Sequence, residues 1–349
     1  MGKPKRILVV RPDRIGDVVL STPVYHTLRD SFPGSFIGAL VSPLTAPLLE
    51  NNPNIDVILT DSEDAGGKDG NFWQKVREIR SHRFDAALLL KPTSRHAYML
   101  FFAGIRQRIG VGHILYEVIT LMRGVSRKGY SPLRHESDYM LDLARSIGSH
   151  KIWTTPEIFL SQEERQKARE MLSSLGFDLH EPIVGIHPGS GHSAPNWEIK
   201  RYVELVQRVA GHGMQVLVTG NSSEYIFEDE FKGITNTRTS FGKWSLRDLS
   251  AVISTVSVFV SSSTGPMHIA AAVGTPVVAM FCPLPACSPQ LWGPIGSQSQ
   301  ILLPPVDFCR FRCPGDPHIC NFGEDGEGIT VDAVFSALLK IVNEKERQC

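Results

Sequence analysis

The stretch Ile7-Leu-Val-Val-Arg-Pro-Asp-Arg-Ile-Gly-Asp17 decides the fold. An unalternating apolar run passes through a short polar turn into a helical pattern from Asp17 to Ser31. Such a run reads as a strand buried on both faces of a parallel sheet, with the helix as its crossover. Outward from it, Phe36–Val41, Val57–Leu59, a helix around Phe72–Ser81 and Ala86–Leu90 continue the alternation. The pattern restarts with strand Ile183–Ile186, helix Ile199–Ala210, strand Gln215–Val218 and helix Leu246–Ser254. Strand Val256–Val260, helix Gly265–Val273 and strand Val277–Phe281 follow. Two βα arrays predict an α/β chain of two doubly wound, Rossmann-like domains facing a central cleft. The boundary is expected near Trp153–Glu157, giving domains 1–155 and 156–349. Helix Ser161–Leu175 opens the second and Val331–Asn343 ends it, and Ser62–Gly70 is the one loose segment.

The 349 residues suit two domains, and 42% hydrophobic with 21% charged side chains excludes disordered and fibrous classes. Lys+Arg and Asp+Glu both number 36, a neutral balance that argues against a nucleic-acid partner. Residues 1–150 carry 20 basic and 15 acidic side chains, and 151–349 carry 16 and 21, so the halves differ in sign. Between Leu249 and Val306 no charged residue occurs, but Ser261–Pro266 and Gly274–Pro276 cut the stretch into pieces too short to span a bilayer. The first residues lack the apolar core of a signal peptide, so a cytoplasmic or peripheral location is expected.

No G-x-G-x-x-G follows the first strand, and no G-x-x-x-x-G-K-[ST], H-E-x-x-H or G-x-S-x-G occurs. Four strand-to-helix junctions carry the candidate chemistry. In Arg11–Asp17, Gly16 permits a tight turn, Asp17 is expected at the helix N-cap, and Pro23 is expected to kink the helix. His187-Pro-Gly-Ser-Gly191, with its neighbour His192, can wrap a phosphate or sugar, or be a plain loop. In Thr219-Gly220-Asn-Ser-Ser-Glu224, the acid can bind ribose hydroxyls or cap the next helix. In Ser263-Thr264-Gly265-Pro266-Met267-His268, a capped helix start offers free amides to an anion without any lysine.

In this order and spacing, the junctions resemble glycosyltransferase family 9, the heptosyltransferases of lipopolysaccharide core assembly. The matching pieces are R-x-x-R-I-G-D-V-V-x-x-T-P at 11–23, H-P-G-S-G at 187–191 and T-G-x-x-x-E at 219–224. S-x-x-D-L at 245–249, S-T-G-P-x-H at 263–268 and G-T-P-V-V-A-M-F at 274–281 complete the set. The resemblance implies a GT-B fold, an acceptor on the N-terminal domain, a nucleotide-sugar donor (ADP-heptose) on the C-terminal domain, and inversion. Asp17 matches the catalytic aspartate. Thr264, Gly265 and His268 match the diphosphate-binding turn, and Glu224 the ribose contact. His187, Gly189, Ser190, Gly191, Gly220, Ser263, Pro266 and Met267 complete the implied donor set. Two positions depart: many members have Asp at Ser263, and many have a lysine within 192–196, leaving His192 or an arginine of the other domain to replace it. The alternatives left open are another nucleotide sugar or an epimerase on the same scaffold, and a non-catalytic subunit of envelope assembly.

Arg83 to Arg134 holds nine basic residues against Asp85 and Glu117, which suits an anionic partner such as acidic sugars or a lipid surface, or a set of solvated side chains. The resemblance implies that this partner is an anionic, lipid-linked oligosaccharide acceptor, met in peripheral contact with the cytoplasmic face of the inner membrane. Arg11, Arg14, Arg95, Arg106 and Arg108 are the candidate acceptor contacts. No D-x-D motif occurs, so neither a catalytic divalent metal nor another cofactor is expected. Cys309, Cys313 and Cys320, with His318 between, have zinc-ligand types at irregular spacing, and reduced thiols or a local disulfide are the preferred reading.

Overall fold

A computed structural model describes residues 4–61, 71–112, 115–191, 193–323 and 327–346, so Ser62–Gly70 and His192 lie outside the described residues. The chain divides into two compact units, Met1–Phe159 and Leu160–Cys349. The first runs β1 (Arg6–Arg11), α1 (Ile15–Ser31), β2 (Phe36–Val41), β3 (Val57–Thr60), α2 (Phe72–Ser81), β4 (Ala86–Leu89) and α3 (Ser94–Phe102). β5 (Gln107–Val111), α4 (Leu115–Ile119), β6 (Arg123–Val125) and α5 (Glu136–Ser146) complete it. The second runs α6 (Gln162–Ser174), β7 (Ile183–His187), α7 (Ile199–Gly211), β8 (Gln215–Gly220), β9 (Thr237–Phe241), α8 (Leu246–Ile253), β10 (Val258–Ser262) and α9 (Gly265–Ala272). β11 (Val277–Met280), α10 (Pro289–Trp292), β12 (Ser299–Leu302), α11 (Val306–Arg312) and α12 (Val331–Glu346) follow.

Each unit contains a six-stranded parallel sheet, ordered β3-β2-β1-β4-β5-β6 in the first and β12-β11-β10-β7-β8-β9 in the second. Counted from its own first strand, each has the order 3-2-1-4-5-6 of a doubly wound fold, so each has one switch point. These fall between β1 and β4 and between β7 and β10. The middles of the central strands are apolar and shielded on both faces: Ile7 to Val10, Ala86 to Leu89 and Val258 to Val260 are all fully buried.

Two local expectations change, the N-cap of α1 and the bounds of β10. Arg14, not Asp17, holds the N-cap position of α1, without a side-chain cap, which puts Asp17 at the third helical residue. α1 continues through Pro23, and the Val19 carbonyl that Pro23 deprives of its partner accepts the Thr22 hydroxyl at 2.8 Å. The strand expected at Val256–Val260 is shifted two residues onward, to Val258–Ser262.

Close packing under the second sheet depends on a missing side chain. A Cβ at Gly185 of β7 would stand 2.6 Å from the Phe259 ring carbon Cδ2 on neighbouring β10, and Phe259 is fully buried. Gly185→Ala is expected to lower unfolding stability by about 1–3 kcal/mol through overpacking. A denaturant midpoint equal to wild type would remove Gly185 as a packing constraint.

Candidate active site

Open α/β sheets place their sites at the carboxyl ends of the strands, beside the switch point. In the first unit that edge is organised by Arg11, the last residue of β1, whose side chain is buried. Its Nη1 donates to the Leu90 carbonyl at 3.0 Å, and its Nη2 pairs with Asp17 Oδ1. Asp13 and Glu136 each stand 3.6 Å from the same guanidinium, and Glu136 is clamped in turn by two bonds from Arg127, of 2.9 and 3.0 Å. Asp17 retains partial exposure. Burial pushes its carboxyl above the usual aspartate value, against the lowering pull of Arg11. A partly exposed carboxylate, oriented by a buried cation and poised above its ordinary pKa, can act as a general base.

At the same carboxyl-terminal edge of the sheet, Asp61 follows β3 and is shut from solvent. It accepts Arg95 Nε at 2.9 Å and Nη2 at 3.2 Å, and it meets His96 Nε2 at 3.1 Å. The other His96 nitrogen meets the Thr93 hydroxyl at 2.7 Å. Burial opposes ionisation of Asp61, but the bonds from His96 and Arg95 outweigh it and bring the carboxyl to about 2.

These contacts revise the acceptor set. Arg11 is an internal tether for Asp17, not an exposed contact. Arg108 is buried with its guanidinium in the Ile105 and Thr120 carbonyls, so it has no free face for an acceptor. Arg95 is fixed by Asp61, while Arg14 and Arg106 are exposed. The basic stretch is therefore not a continuous field: Arg127 pairs with Glu136, and Arg134 with Asp138 and Asp142.

In the second unit, three of the quoted junctions converge. His187, the last residue of β7, is buried, with Nδ1 3.0 Å from the Thr219 hydroxyl and Nε2 3.8 Å from Glu224. Burial lowers its pKa despite Glu224, which favours the neutral ring. Glu224 closes a capping box, accepting the Asn221 amide at 2.8 Å, so its helix-capping role is realised. Its carboxylate lies against Gly189, where a Cβ would fall 1.8 Å from Oε1, so any side chain there would displace the Glu224 carboxylate. Gly220 is excluded from bearing a side chain by the Phe241 ring, 2.1 Å from such a Cβ. Gly191 has φ +51°, and the Ser190 carbonyl accepts the Ser193 amide at 2.9 Å.

At the start of α9, Thr264 occupies the N-cap position with its hydroxyl 3.0 Å from Ser261 and makes no side-chain cap, and Pro266 stands in the first turn. The Gly265 and Met267 amides lie in that turn, where no intrahelical acceptor exists. Met267 and His268 are buried, so Met267 can meet a ligand only through its backbone. Ser263 is half-buried, and its amide donates to the Met280 carbonyl at 3.1 Å.

Asn196, which sequence reasoning passed over, joins these junctions. Its Oδ1 accepts the Ser262 hydroxyl at 2.6 Å and the Tyr202 hydroxyl at 2.7 Å, and its Nδ2 donates to the Pro188 carbonyl at 2.7 Å. Its amide donates to the Cys320 carbonyl at 3.1 Å, tying the cysteine-bearing tail to the loop. In that tail Cys309 and Cys320 are partly buried, Cys313 is exposed, and all three are free thiols. Among the described residues no group of three or more His, Cys, Asp or Glu is arranged to hold a metal ion.

Residues 72–307 match the model of glycosyltransferase family 9 (heptosyltransferase). The chain is 25% identical over 313 residues to lipopolysaccharide heptosyltransferase 2 of Escherichia coli, spanning 85% of this chain and 87% of the relative. A glycosyl transferase family 9 structure from Veillonella parvula superimposes with TM-score 0.83 at 21% identity, covering 97% of each chain. E. coli ADP-heptose heptosyltransferase II follows at TM-score 0.76 and 21% identity, covering 98% of this chain and 99% of the other. The two sheets described above thus belong to the GT-B architecture.

The Asp61 cluster gives a pH test. A carboxyl held near 2, against about 3.9 when unfolded, stabilises the native state by about 2 kcal/mol at neutral pH. That contribution is full above pH 4 and disappears as pH falls through 2. Asp61→Asn should therefore be less stable than wild type at pH 7, with the gap narrowing between pH 4 and pH 2. A gap independent of pH would show that the charge of Asp61 is not what stabilises this edge.

Proposed function

The chain belongs to glycosyltransferase family 9, and from that premise we propose that it transfers heptose from ADP-heptose to a lipopolysaccharide core acceptor, inverting the anomeric carbon. The observation that carries the reading is Asp17, a carboxylate held by a buried guanidinium at the edge where doubly wound sheets place their chemistry. In the proposed step the acceptor oxygen attacks the anomeric carbon and the bond to the diphosphate breaks. Its electron pair leaves on the β-phosphate of ADP, and the acceptor proton passes to Asp17 as the new bond forms. The relatives named as lipopolysaccharide heptosyltransferases, from E. coli and Salmonella typhimurium, support the substrate class.

The donor would lie against His187–Gly191, Gly220 and the start of α9. The Gly265 and Met267 amides and the positive end of that helix stabilise the leaving diphosphate without a side-chain cation. Glu224, with one oxygen on the Asn221 amide, presents its remaining lone pairs to the ribose hydroxyls. Arg14 and Arg106, both exposed, suit the anionic groups of a lipid-linked acceptor. No described helix is long and apolar enough to cross a membrane, and the acceptor would be met at the cytoplasmic surface of the inner membrane.

Asp17→Asn keeps the size of the side chain but abolishes its basicity. The variant should lose about 10²–10⁴-fold in kcat while its affinity for ADP, read by calorimetry, stays near wild type. The acid limb of the wild-type pH profile should lie above the ordinary aspartate value, because the base works only when ionised. Near-normal turnover of Asp17→Asn would refute the assignment. Transfer should also survive EDTA, since fixed amides carry the diphosphate charge; loss of activity restored by Mg²⁺ or Mn²⁺ would refute that part.

A further inference from the structure

On one face of the first unit the ordinary amphipathic rule is inverted. In α4, Tyr116 and Glu117 are buried, while Leu115, Val118 and Ile119 stand 77%, 74% and 55% exposed, and Leu121 just beyond stands 76% exposed. A surface helix normally sends its aliphatic side chains inward. Here the inversion is built into the neighbouring strands. A Cβ at Gly124 of β6 would meet Glu117 Oε2 at 2.9 Å, and one at Gly110 of β5 would meet the Met122 sulfur at 2.5 Å and Glu117 Oε1 at 3.4 Å. The two glycines make the room in which Glu117 is buried. Leu121 has φ +50°, an uncommon conformation for leucine, and the Met122 amide closes the turn on the Glu117 carbonyl at 2.8 Å.

The apolar surface continues onto α3, which packs on both α2 and α4. Phe102 lies 5.0 Å from Trp73 and 5.5 Å from Phe101, and all three rings are exposed. The segment that carries α4 has exposed charge of one sign. From Phe101 to Arg134 the sequence has a single carboxylate, Glu117, which is the buried one, while Arg106, Arg123 and Lys128 are exposed. Exposed aliphatic and aromatic side chains accompanied by cations are the composition of a membrane-interfacial surface.

We propose that the α3–α4 face, centred on Leu115, Val118, Ile119 and Leu121, docks onto an anionic lipid bilayer by inserting these side chains at the headgroup level. Its purpose rests on the lipid-linked acceptor of the proposed function; its affinity for lipid does not. A bilayer fits better than a second copy of the chain, because a two-fold contact through this face would set the same cations against each other.

The test is flotation of the full chain with vesicles of phosphatidylglycerol and phosphatidylethanolamine, and with phosphatidylcholine alone. Wild type should float with the anionic vesicles and less with phosphatidylcholine. The triple variant Leu115→Ser/Val118→Ser/Ile119→Ser should lose at least about tenfold in partition with an unchanged circular-dichroism melt. Leu121→Asn, which tolerates positive φ, gives a milder second variant, and Arg123→Glu should weaken anionic binding selectively. Transfer to a deacylated, water-soluble acceptor should be unchanged in the triple variant. The proposal fails if wild type does not float, if the triple and Leu121→Asn variants float as well as wild type, or if the substitutions instead abolish a dimer seen by sedimentation. Normal flotation with no sugar transfer from any donor would overturn the proposed function and leave this surface standing.

Discussion

A guanidinium taken out of water needs compensating charge and hydrogen bonds, and Arg11 ends the central strand β1 with its side chain buried. Four segments converge to meet that demand: the loop after β1 through Asp13, α1 through Asp17, the end of β4 through the Leu90 carbonyl, and α5 through Glu136. Removing one partner of such a cluster leaves charge stranded, commonly a loss of about 3–5 kcal/mol. The same group that secures the switch point therefore fixes the direction of Asp17. Burial that would otherwise favour a neutral carboxyl is opposed by the adjacent cation, and the result is a carboxyl that is oriented and held above its ordinary pKa.

The second unit secures the equivalent edge without ionic pairing at its centre. Asn196 uses its carbonyl oxygen on Ser262 and Tyr202 and its amide nitrogen on the Pro188 carbonyl, so one neutral side chain sets the loop after β7 against the end of β10. Its backbone amide adds the Cys320 carbonyl. The cysteine segment thus bears on the candidate donor loop through its main chain, and its thiols need no metal to do so. A satisfied neutral network of this kind rigidifies a site while leaving its electrostatics to whatever ligand arrives.

Which parts were legible in the sequence follows from where each strand lies. β1, β2, β4, β7, β10 and β11 are covered on both faces, so they read as continuous apolar runs. β6, β9 and β12 are sheet edges with sequences such as Thr-Arg-Thr-Ser-Phe, and β5 beside an edge reads Gln-Arg-Ile-Gly-Val; none carries that signal, whereas β3, also an edge, reads Val-Ile-Leu-Thr and is legible from its apolar run. The first-turn position of Asp17 escaped because an arginine with no capping side chain precedes the helix, against the usual N-cap preference. The site's partners were hidden for another reason. Arg11 meets Glu136 and Arg95 meets Asp61 across long sequence separations, and no local spacing rule reports which arginine is free and which is already neutralised.

The two units share a strand order and differ in the chemistry of the edge that order creates. At the first, carboxylates and guanidinium groups alternate at short range, an arrangement suited to holding and receiving a proton. At the second, glycine approaches, backbone amides and hydroxyls predominate, and the buried histidine tends toward its neutral form. At the first edge the guanidinium groups of Arg11 and Arg95 are already engaged by carboxylates and have no charge to spare for a diphosphate. The uncharged amides at the start of α9 impose no such conflict and present a positive dipole end. Charge compatibility thus favours dividing the two proposed tasks, proton acceptance at the β1 edge and diphosphate stabilisation at the β10 edge, before any detail of the sugar is considered.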